Sequence, residues 1–535
     1  MRHLRAVVVI AVALGGVVVG AGPAAAVVGT RCDFDGDGTA DLAVGVPGED
    51  EIGAVNVQYQ RTGPLADPGI LREDWLPRGS DYGTALTCGD FDADGIGDLA
   101  VGAPGAFDRS GKVFVYSGRA DVGLGSDAML MFSQGSGTPG HFEDHDRMGW
   151  SLASGDLDGD SVDDLVVGIP GDADPGWRAP RHRMGSVLVI HGSDDGLRFD
   201  DSVEQLFSWL EYDDEEFLVP PHFGWSVAVG QFARGGAAEL AVGAPYASPR
   251  SFPTDKIAFE GGRVYTFHDD GGLEPDRILE QDGAELWPGS ESYEKFGWSL
   301  AAGDFDADGH ADLAVGVPFE DVGDVKEAGQ VSVFGGSSTG LGGAGPVDAV
   351  TTLQGGGELQ AGDWFGFSVA AGDYDGDGRA DLAVGAPHRT VREAPLAGAA
   401  YLLAGTSALI GSGLQVVQGG PGLPGTAHQG ERLGMSVALV ALSGSTDLVV
   451  GAPGEQCPSA LPDGCRAGAV MIVPSEESDR SPLLLHQDTK APTPVSDKRE
   501  PAWAGLPVDD TGGEVLDGPQ PAELGGEWFG WAVAS

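Results

Sequence analysis

Basic side chains are scarce in this sequence: 30 lysines and arginines stand against 82 aspartates and glutamates, a formal charge of −52. Nucleic acid and anionic membrane surfaces are therefore poor partners, since both would be repelled. Beyond the first 26 residues no apolar run is long enough to span a bilayer. No cysteine follows that opening segment in a lipidation context, and no anchor pattern is expected at the far end. Catalytic signatures are missing too: there is no phosphate-cradling glycine loop and no convincing triad. His141-Phe142-Glu143-Asp144-His145 lacks the His-Glu-x-x-His spacing of a helical zinc site and reads as a solvated acidic loop. A hydrophobic fraction of 41% with frequent valine argues against disorder.

The opening segment differs from the rest. Arg2 and Arg5 precede an apolar run from Ala6 to Val19 and the small residues Ala24-Ala25-Ala26. This predicts a secretory signal peptide over 1–26, cleaved before Val27. The mature chain, 27–535, is then a soluble extracellular protein, and losing Arg2 and Arg5 takes its charge from −52 to −54. In an oxidising compartment its four cysteines should be bonded. Cys457 and Cys465 share one short Pro/Gly loop and are expected to close a small ring. A bridge between Cys32 and Cys88 would account for the rest, although four cysteines allow three connectivities.

Aspartate is the residue present in pattern. Five copies of Asp-x-Asp-x-Asp-x-x-x-Asp recur, each running into an apolar stretch of the Leu-Ala-Val-Gly-x-Pro type. Carboxylates so dense repel one another unless a cation sits among them, and oxygen-only donors suit calcium, a hard ion. The expected side-chain ligands are Asp33, Asp35, Asp37 and Asp41 in the first loop, and Asp90, Asp92, Asp94 and Asp98 in the second. The third offers Asp156, Asp158, Asp160 and Asp164, the fourth Asp304, Asp306, Asp308 and Asp312, the fifth Asp373, Asp375, Asp377 and Asp381. Carbonyls of Thr39, Ile96, Val162, His310 and Arg379 would each add a donor. Gly38, Gly95, Gly309 and Gly378 stand where such a loop turns sharply; the third loop has Ser161 there. An EF-hand needs a bidentate Glu at position 12, where Val44 and Val101 stand instead, so these are loops between strands. Five calcium ions of structural, not catalytic, role are expected.

Aligned on itself, the chain shows more repeats than loops. The Asp/Glu-Leu-x-Val-Gly-x-Pro segment occurs seven times, with Leu42, Leu99, Leu165, Leu240, Leu313, Leu382 and Leu448 in register. A Phe-Gly-Trp-Ser-Val-Ala-like segment also occurs seven times, marked by Gly83, Gly149, Gly224, Gly297, Gly366, Gly434 and Gly530. Two repeats, at Gln231–Gly236 and Ala441–Ser445, have lost the carboxylates. Alternating apolar residues between Gly, Pro and Asp predict four short strands per repeat. Around residue 300 these are Phe296–Ala302, Leu313–Val317, Gln330–Phe334 and Val350–Gln354. The expected fold is all-β, a seven-bladed β-propeller of four-stranded blades. The first repeat lacks its Phe-Gly half, and an orphan half ends the chain, so the strand at 526–535 is expected to complete the first blade and remove an open edge.

Phe-Gly followed by an acidic loop and then Gly102-Ala103-Pro104, Gly243-Ala244-Pro245, Gly385-Ala386-Pro387 or Gly451-Ala452-Pro453 resembles the FG-GAP repeat of the integrin α-subunit propeller. The resemblance covers nearly all of the mature chain. It implies seven blades with calcium between the first and second strands of a blade. Integrin β-type dimerisation is not expected, because this sequence shows no counterpart of the other ectodomain modules, the membrane span or the tail. The resemblance also implies that aromatics at the channel mouth could cage a partner's cationic side chain. Trp150, Trp225, Trp298, Phe367 and Trp531, which follow the Phe-Gly glycine, read first as packing around the channel.

In such blades the acidic 1–2 loops share one face of the disc. The long insertions fall on the other: Gly171–Met184, Ser208–His222, Tyr246–Glu260, Asp282–Lys295, Phe319–Ala328 and Asp488–Glu527. Recognition concentrates in variable loops on a rigid scaffold, so Trp177, Trp209, Tyr212, Trp287, Tyr293 and Trp503 are the candidate ligand contacts. The sequence thus reads as a secreted, calcium-stabilised binding or adhesion module for an extracellular protein or polysaccharide, without catalysis and favoured as a monomer. The alternatives are a propeller enzyme cleaving a polysaccharide or ester at the insertion face, and a structural envelope or matrix protein.

Overall fold

The computed structural model describes residues 32–47, 52–59, 69–125, 129–135, 138–140, 143–173, 184–199, 203–207, 221–233, 236–248, 260–269, 272–280, 293–341, 347–348, 360–442, 445–455, 468–475 and 480–486. They form seven antiparallel sheets in chain order, the blades of a propeller; six have four strands and the first has three. The inner strands of blades two to seven are Leu86–Gly89, Ser151–Gly155, Ser226–Gly230, Ser299–Gly303, Ser368–Gly372 and Ser436–Leu442. The second strands of blades one to seven are Leu42–Val46, Asp98–Ala103, Asp164–Ile169, Glu239–Ala244, Asp312–Val317, Asp381–Ala386 and Ser445–Ala452. These second strands are almost wholly buried because each blade is covered on both faces by its neighbours, which accounts for the unbroken Leu-Ala-Val-Gly runs.

The core is seven seams. Blades one and two share a cluster with Phe34, Val55, Tyr82 and Phe114, and corresponding clusters fill each following seam. The seventh seam sets Leu42 and Val44 of blade one against Ala438, Val449 and Ile472 of blade seven. Apolar packing therefore joins the last blade to the first. Residues 1–26, expected to be a signal peptide, the Cys457–Cys465 loop and the strand at 526–535 expected to finish blade one lie outside the described residues. So does Trp531.

Two strand boundaries differ from the sequence expectation. The inner strand of blade five begins at Ser299 and not Phe296, because Gly297 has φ +85° and Trp298 N–H turns back to Lys295 O at 3.1 Å. Phe296 instead bridges Gly262 of the preceding blade. The described part of that blade's fourth strand is Val347–Asp348, paired with Val333 and Ser332, while Val350–Gln354 lies outside the described residues.

The repeat glycines have a shared physical cause. A Cβ on Gly385 would lie 2.0 Å from the carbonyl oxygen of Gly434 in the next blade. Ser368 Oγ donates to that same oxygen at 3.0 Å, and Ser151, Ser226 and Ser299 do the equivalent to Gly224, Gly297 and Gly366. Two backbones thus approach within contact at each such seam, with a hydroxyl satisfying the buried acceptor. At the edge of blade one a disulfide joins Cys32 to Cys88 of blade two's inner strand, with Cα atoms 5.4 Å apart. Among the described residues no helix is long and apolar enough to cross a membrane.

Candidate metal centres and the opposite face

Each acidic loop is anchored by the apolar residue at its second position. Phe34, Phe91, Leu157, Phe305 and Tyr374 are buried in the seams. Phe232 keeps this role in blade four, where the carboxylates are gone. With that side chain fixed, the carboxylates at positions 1, 3 and 5 converge. Asp33, Asp35 and Asp37 each present an oxygen within 4.8 Å of the others, as do Asp90, Asp92 and Asp94; Asp156, Asp158 and Asp160; and Asp304, Asp306 and Asp308. In the fifth loop Asp377 N–H donates to Asp373 and Asp375, both at 3.1 Å, the pattern Asp94 makes with Asp90 and Asp92.

The ninth position has a second part to play. Asp98, Asp164, Asp312 and Asp381 are buried at the base of their loops, where each carboxylate accepts at least two backbone N–H bonds. One comes from the loop's second residue at 2.7–3.1 Å, the other from Gly118, Gly192, Gly336 or Gly405 at 2.8–3.0 Å. Asp41 likewise accepts from Phe34 N–H at 3.0 Å. These residues lock the loop to the third strand. The N–H groups of Thr39, Ile96, Val162, His310 and Arg379 donate to the fifth-position carboxylate at 2.8–3.0 Å.

Burial, helped by neighbouring charge, raises the proton affinity of several of these carboxylates. Burial, then the charge of Asp92, pushes Asp98 up to about 8. Burial does the same to Asp312, to about 7, against backbone hydrogen bonds that pull it down. Burial also raises Asp90, Asp92, Asp156, Asp158, Asp306 and Asp381. Such a donor set fits a hard divalent cation, which would remove the repulsion.

Neighbouring loops are also tied to one another. The carbonyl at the first position of four loops accepts an N–H from the next blade: Asp33 from Gly97, Asp90 from Asp163, Asp156 from Ala238, Asp304 from Ala380, at 2.8–3.1 Å. Gln231 keeps its place in this belt by accepting from Ala311 at 2.8 Å, and its amide crosses the loop to Gly236 O at 3.0 Å. In blade seven the Arg480 guanidinium reaches Leu442 O, Ser445 and Asp447 at 2.6–2.9 Å, a fixed cation where other blades gather carboxylates.

FG-GAP repeats match residues 24–63, 82–116, 148–176, 296–334 and 365–403, segments that contain the five acidic loops. Integrin alpha-8 of Mus musculus is 30% identical over 349 residues, covering 64% of this chain and 29% of that protein. Integrin alpha-5 of Xenopus laevis is 33% identical over 248 residues, 45% of this chain and 20% of its own length. This chain is an integrin-α-like FG-GAP propeller. Phosphatidylinositol-glycan-specific phospholipase D of Rattus norvegicus is also similar, 34% identical over 194 residues, 35% of the propeller chain and 20% of the relative. The propeller therefore spans less than a third of the length of these curated relatives.

The channel of the FG-GAP propeller is lined as expected for packing. Trp150, Trp225, Trp298, Phe367 and Met435 form one buried cluster, with successive ring centroids 4.8, 4.9 and 5.5 Å apart from Trp150 to Phe367. Cations near these rings come from the chain itself. Lys295 Nζ lies 3.7 Å from the centroid of Tyr246 and pairs with Glu260, and Arg147 lies over Trp150.

Of the six aromatic ligand candidates, Tyr293 is described and is 57% exposed; Trp177, Trp209, Tyr212, Trp287 and Trp503 lie outside the described residues. The sequence reading missed a second exposed pair. Trp75, in the link from blade one to blade two, is 51% exposed and lies 6.2 Å from Phe107 in blade two's 2–3 loop. Trp75 lies in a 4–1 link like those already singled out, and that was the available signal. Glu143, Asp144 and His145 are exposed, in keeping with a solvated loop. Gly336-Ser337-Ser338-Thr339-Gly340 spells a Gly-x-Ser-x-Gly pattern with Ser338 central, yet it is a turn after a strand, closed by Gly340 N–H donating to Ser337 O at 2.9 Å.

Proposed function

We propose that this propeller is an exported binding or adhesion module, held rigid by structural calcium, that engages an extracellular protein or polysaccharide through its insertion-bearing face. The observation that carries the reading is segregation. Convergent carboxylates and the backbone belt occupy one face, while the exposed Trp75, Phe107 and Tyr293 stand in the connections of the other. A scaffold fixed on one side and aromatic on the other suits recognition. Calcium would take Asp33, Asp35, Asp37 and the equivalent triads, with ninth-position carboxylates and loop carbonyls completing each shell.

The phospholipase D relatives favour one second reading, a propeller that cleaves a polysaccharide or ester at the same face. An array of polysaccharides and extracellular proteins, probed with 27–535 in calcium and in chelator, tests both. Specific binding without turnover supports a module; turnover of a bound substrate supports an enzyme. Joint Trp75→Ala and Tyr293→Ala substitution is expected to weaken capture at least about tenfold, in the range of an interface hot spot, with the melting temperature unchanged. Unaltered capture would remove these two residues from the contact surface.

The acidic loops also set a pH signature. Asp98 and Asp312 hold protons in the folded, metal-free chain up to about 8 and about 7, well above an unfolded aspartate near 3.9. The folded state then binds more protons across that window, so metal-free stability falls as pH rises from about 4 to about 8. Calcium should abolish the fall by holding the carboxylates ionised. Urea midpoints at pH 5 and pH 8, with and without calcium, read this directly; a metal-free midpoint that rises with pH would contradict it.

A further inference from the structure

The third loop departs from the others. At the end of blade three's third strand stands His191, where the corresponding residues of blades two, five and six are Ser117, Gly335 and Ala404. Its ring is 7% exposed and points into the loop. Nδ1 lies 3.2 Å from Asp164 Oδ1 and 3.6 Å from Asp158 Oδ2, yet makes no hydrogen bond. One ligand atom from each of Asp158, Asp164 and His191 falls within 4.8 Å of the others. Behind the ring, Glu204 Oε1 stands 3.8 Å from Nε2, and its other oxygen is held by Leu273 N–H at 3.0 Å. A carboxylate behind a histidine that faces a cluster of acids is the arrangement that orients a metal-bound imidazole.

We propose that the third loop is a mixed nitrogen–oxygen metal centre, in which His191 Nδ1 joins Asp158 and Asp164 on a borderline divalent ion of the zinc type. This rests on the reading of the acidic loops as metal sites. Imidazole suits zinc and its neighbours in the first transition row, whereas calcium takes oxygen donors. The competing arrangement is a permanent imidazolium standing in for the ion, as Arg480 does in blade seven. Blade seven has lost the carboxylates at positions 1, 3 and 5, so one fixed positive charge serves it. Blade three keeps all four, Asp156, Asp158, Asp160 and Asp164, and Arg198 pairs only with Asp160 at 3.2 Å. A single imidazolium leaves most of that charge unmatched; a divalent ion with a neutral imidazole matches it better. Ser161 also breaks the glycine rule of the other loops, with φ +73°.

The test is a metal count on the full chain. Protein stripped of metal is loaded with calcium and zinc, dialysed against excess calcium, and measured by elemental analysis and native mass spectrometry. One zinc per chain should remain beside the calcium. His191→Gln should release that zinc, and Glu204→Gln should weaken it roughly 10–100-fold. Cobalt in place of zinc should give visible absorption that His191→Gln bleaches. Should His191→Gln fail to fold, the wild-type zinc count and Glu204→Gln still decide. Five calcium and no zinc would overturn the mixed site while leaving the acidic loops as calcium sites. Four calcium and no zinc would assign His191 to a permanent ion pair, also against the proposal. Zinc retained without any calcium would uphold this site and overturn the calcium reading.

Discussion

Removing divalent cations from the purified chain should lower its melting temperature by on the order of 10 °C. An ion that binds only the native state stabilises it by roughly 2.7 kcal/mol at a hundredfold excess over its dissociation constant. Five loops filled as proposed would together contribute on the order of 10 kcal/mol. Removal also releases the repulsion among Asp90, Asp92 and Asp94 and their counterparts; burial and neighbouring charge already hold Asp90 and Asp92 above the usual carboxylate range. Because Asp33, Asp90, Asp156 and Asp304 each pass a backbone hydrogen bond to the next blade, loosening one loop loosens its neighbour. The loss should therefore be cooperative around the ring and not confined to single blades. Differential scanning calorimetry in calcium and in chelator measures it. An unchanged melting curve would mean that aspartate and glycine serve these loops only as turn formers.

Gly385→Ala should destabilise the chain strongly for so small a substitution, by about 3 kcal/mol or more. The added Cβ would meet the Gly434 carbonyl oxygen at 2.0 Å and Ser368 Oγ at 2.3 Å. A backbone oxygen cannot swing aside as a flexible side chain would, so blades six and seven must separate or the alanine must distort its strand. The hydrogen bond from Ser368 to that carbonyl is lost in either case. Gly362→Ala is the control: its φ of +77° is costly for alanine, but nothing lies within 4 Å of the new carbon. It should cost only about 1 kcal/mol. Chemical denaturation midpoints compare the two. Equal effects would show that conformation, not close approach, keeps glycine in the Gly-x-Pro segment.

Those glycines mark what could be read directly from the sequence. Gly385 and Gly434 recur because two backbones touch at each seam, and such contact permits no other residue. Seven such positions were therefore visible as a period before any fold was known. The acidic loops were legible for the same reason: Asp33, Asp35 and Asp37 are near in sequence and remain near in space. The ninth position carries a further role that the sequence did not show. Asp98 and Asp164 sit beneath the loop with two backbone donors each, a role that depends on the third strand's end and leaves no mark in the nine-residue pattern.

His191 and Arg480 were missed on similar grounds. Each enters its blade's loop region from another strand or connection, so spacing along the chain gave no warning. Trp75 and Phe107 meet only because a 4–1 link and a 2–3 loop share one face. Blade five's inner strand was read three residues too long because Phe296 and Trp298 alternate with Gly297 as a strand would. Gly297 in fact carries a turn, with φ +85°.

The most direct test is calcium stoichiometry on the folded, metal-stripped chain, by titration calorimetry at neutral pH. Loops one, two, four and five should each take one ion, and Asp35→Asn, Asp92→Asn, Asp306→Asn and Asp375→Asn should each remove one. Absence of calcium binding, or a count indifferent to all four substitutions, would contradict the assignment of these loops as the metal-held face of the propeller.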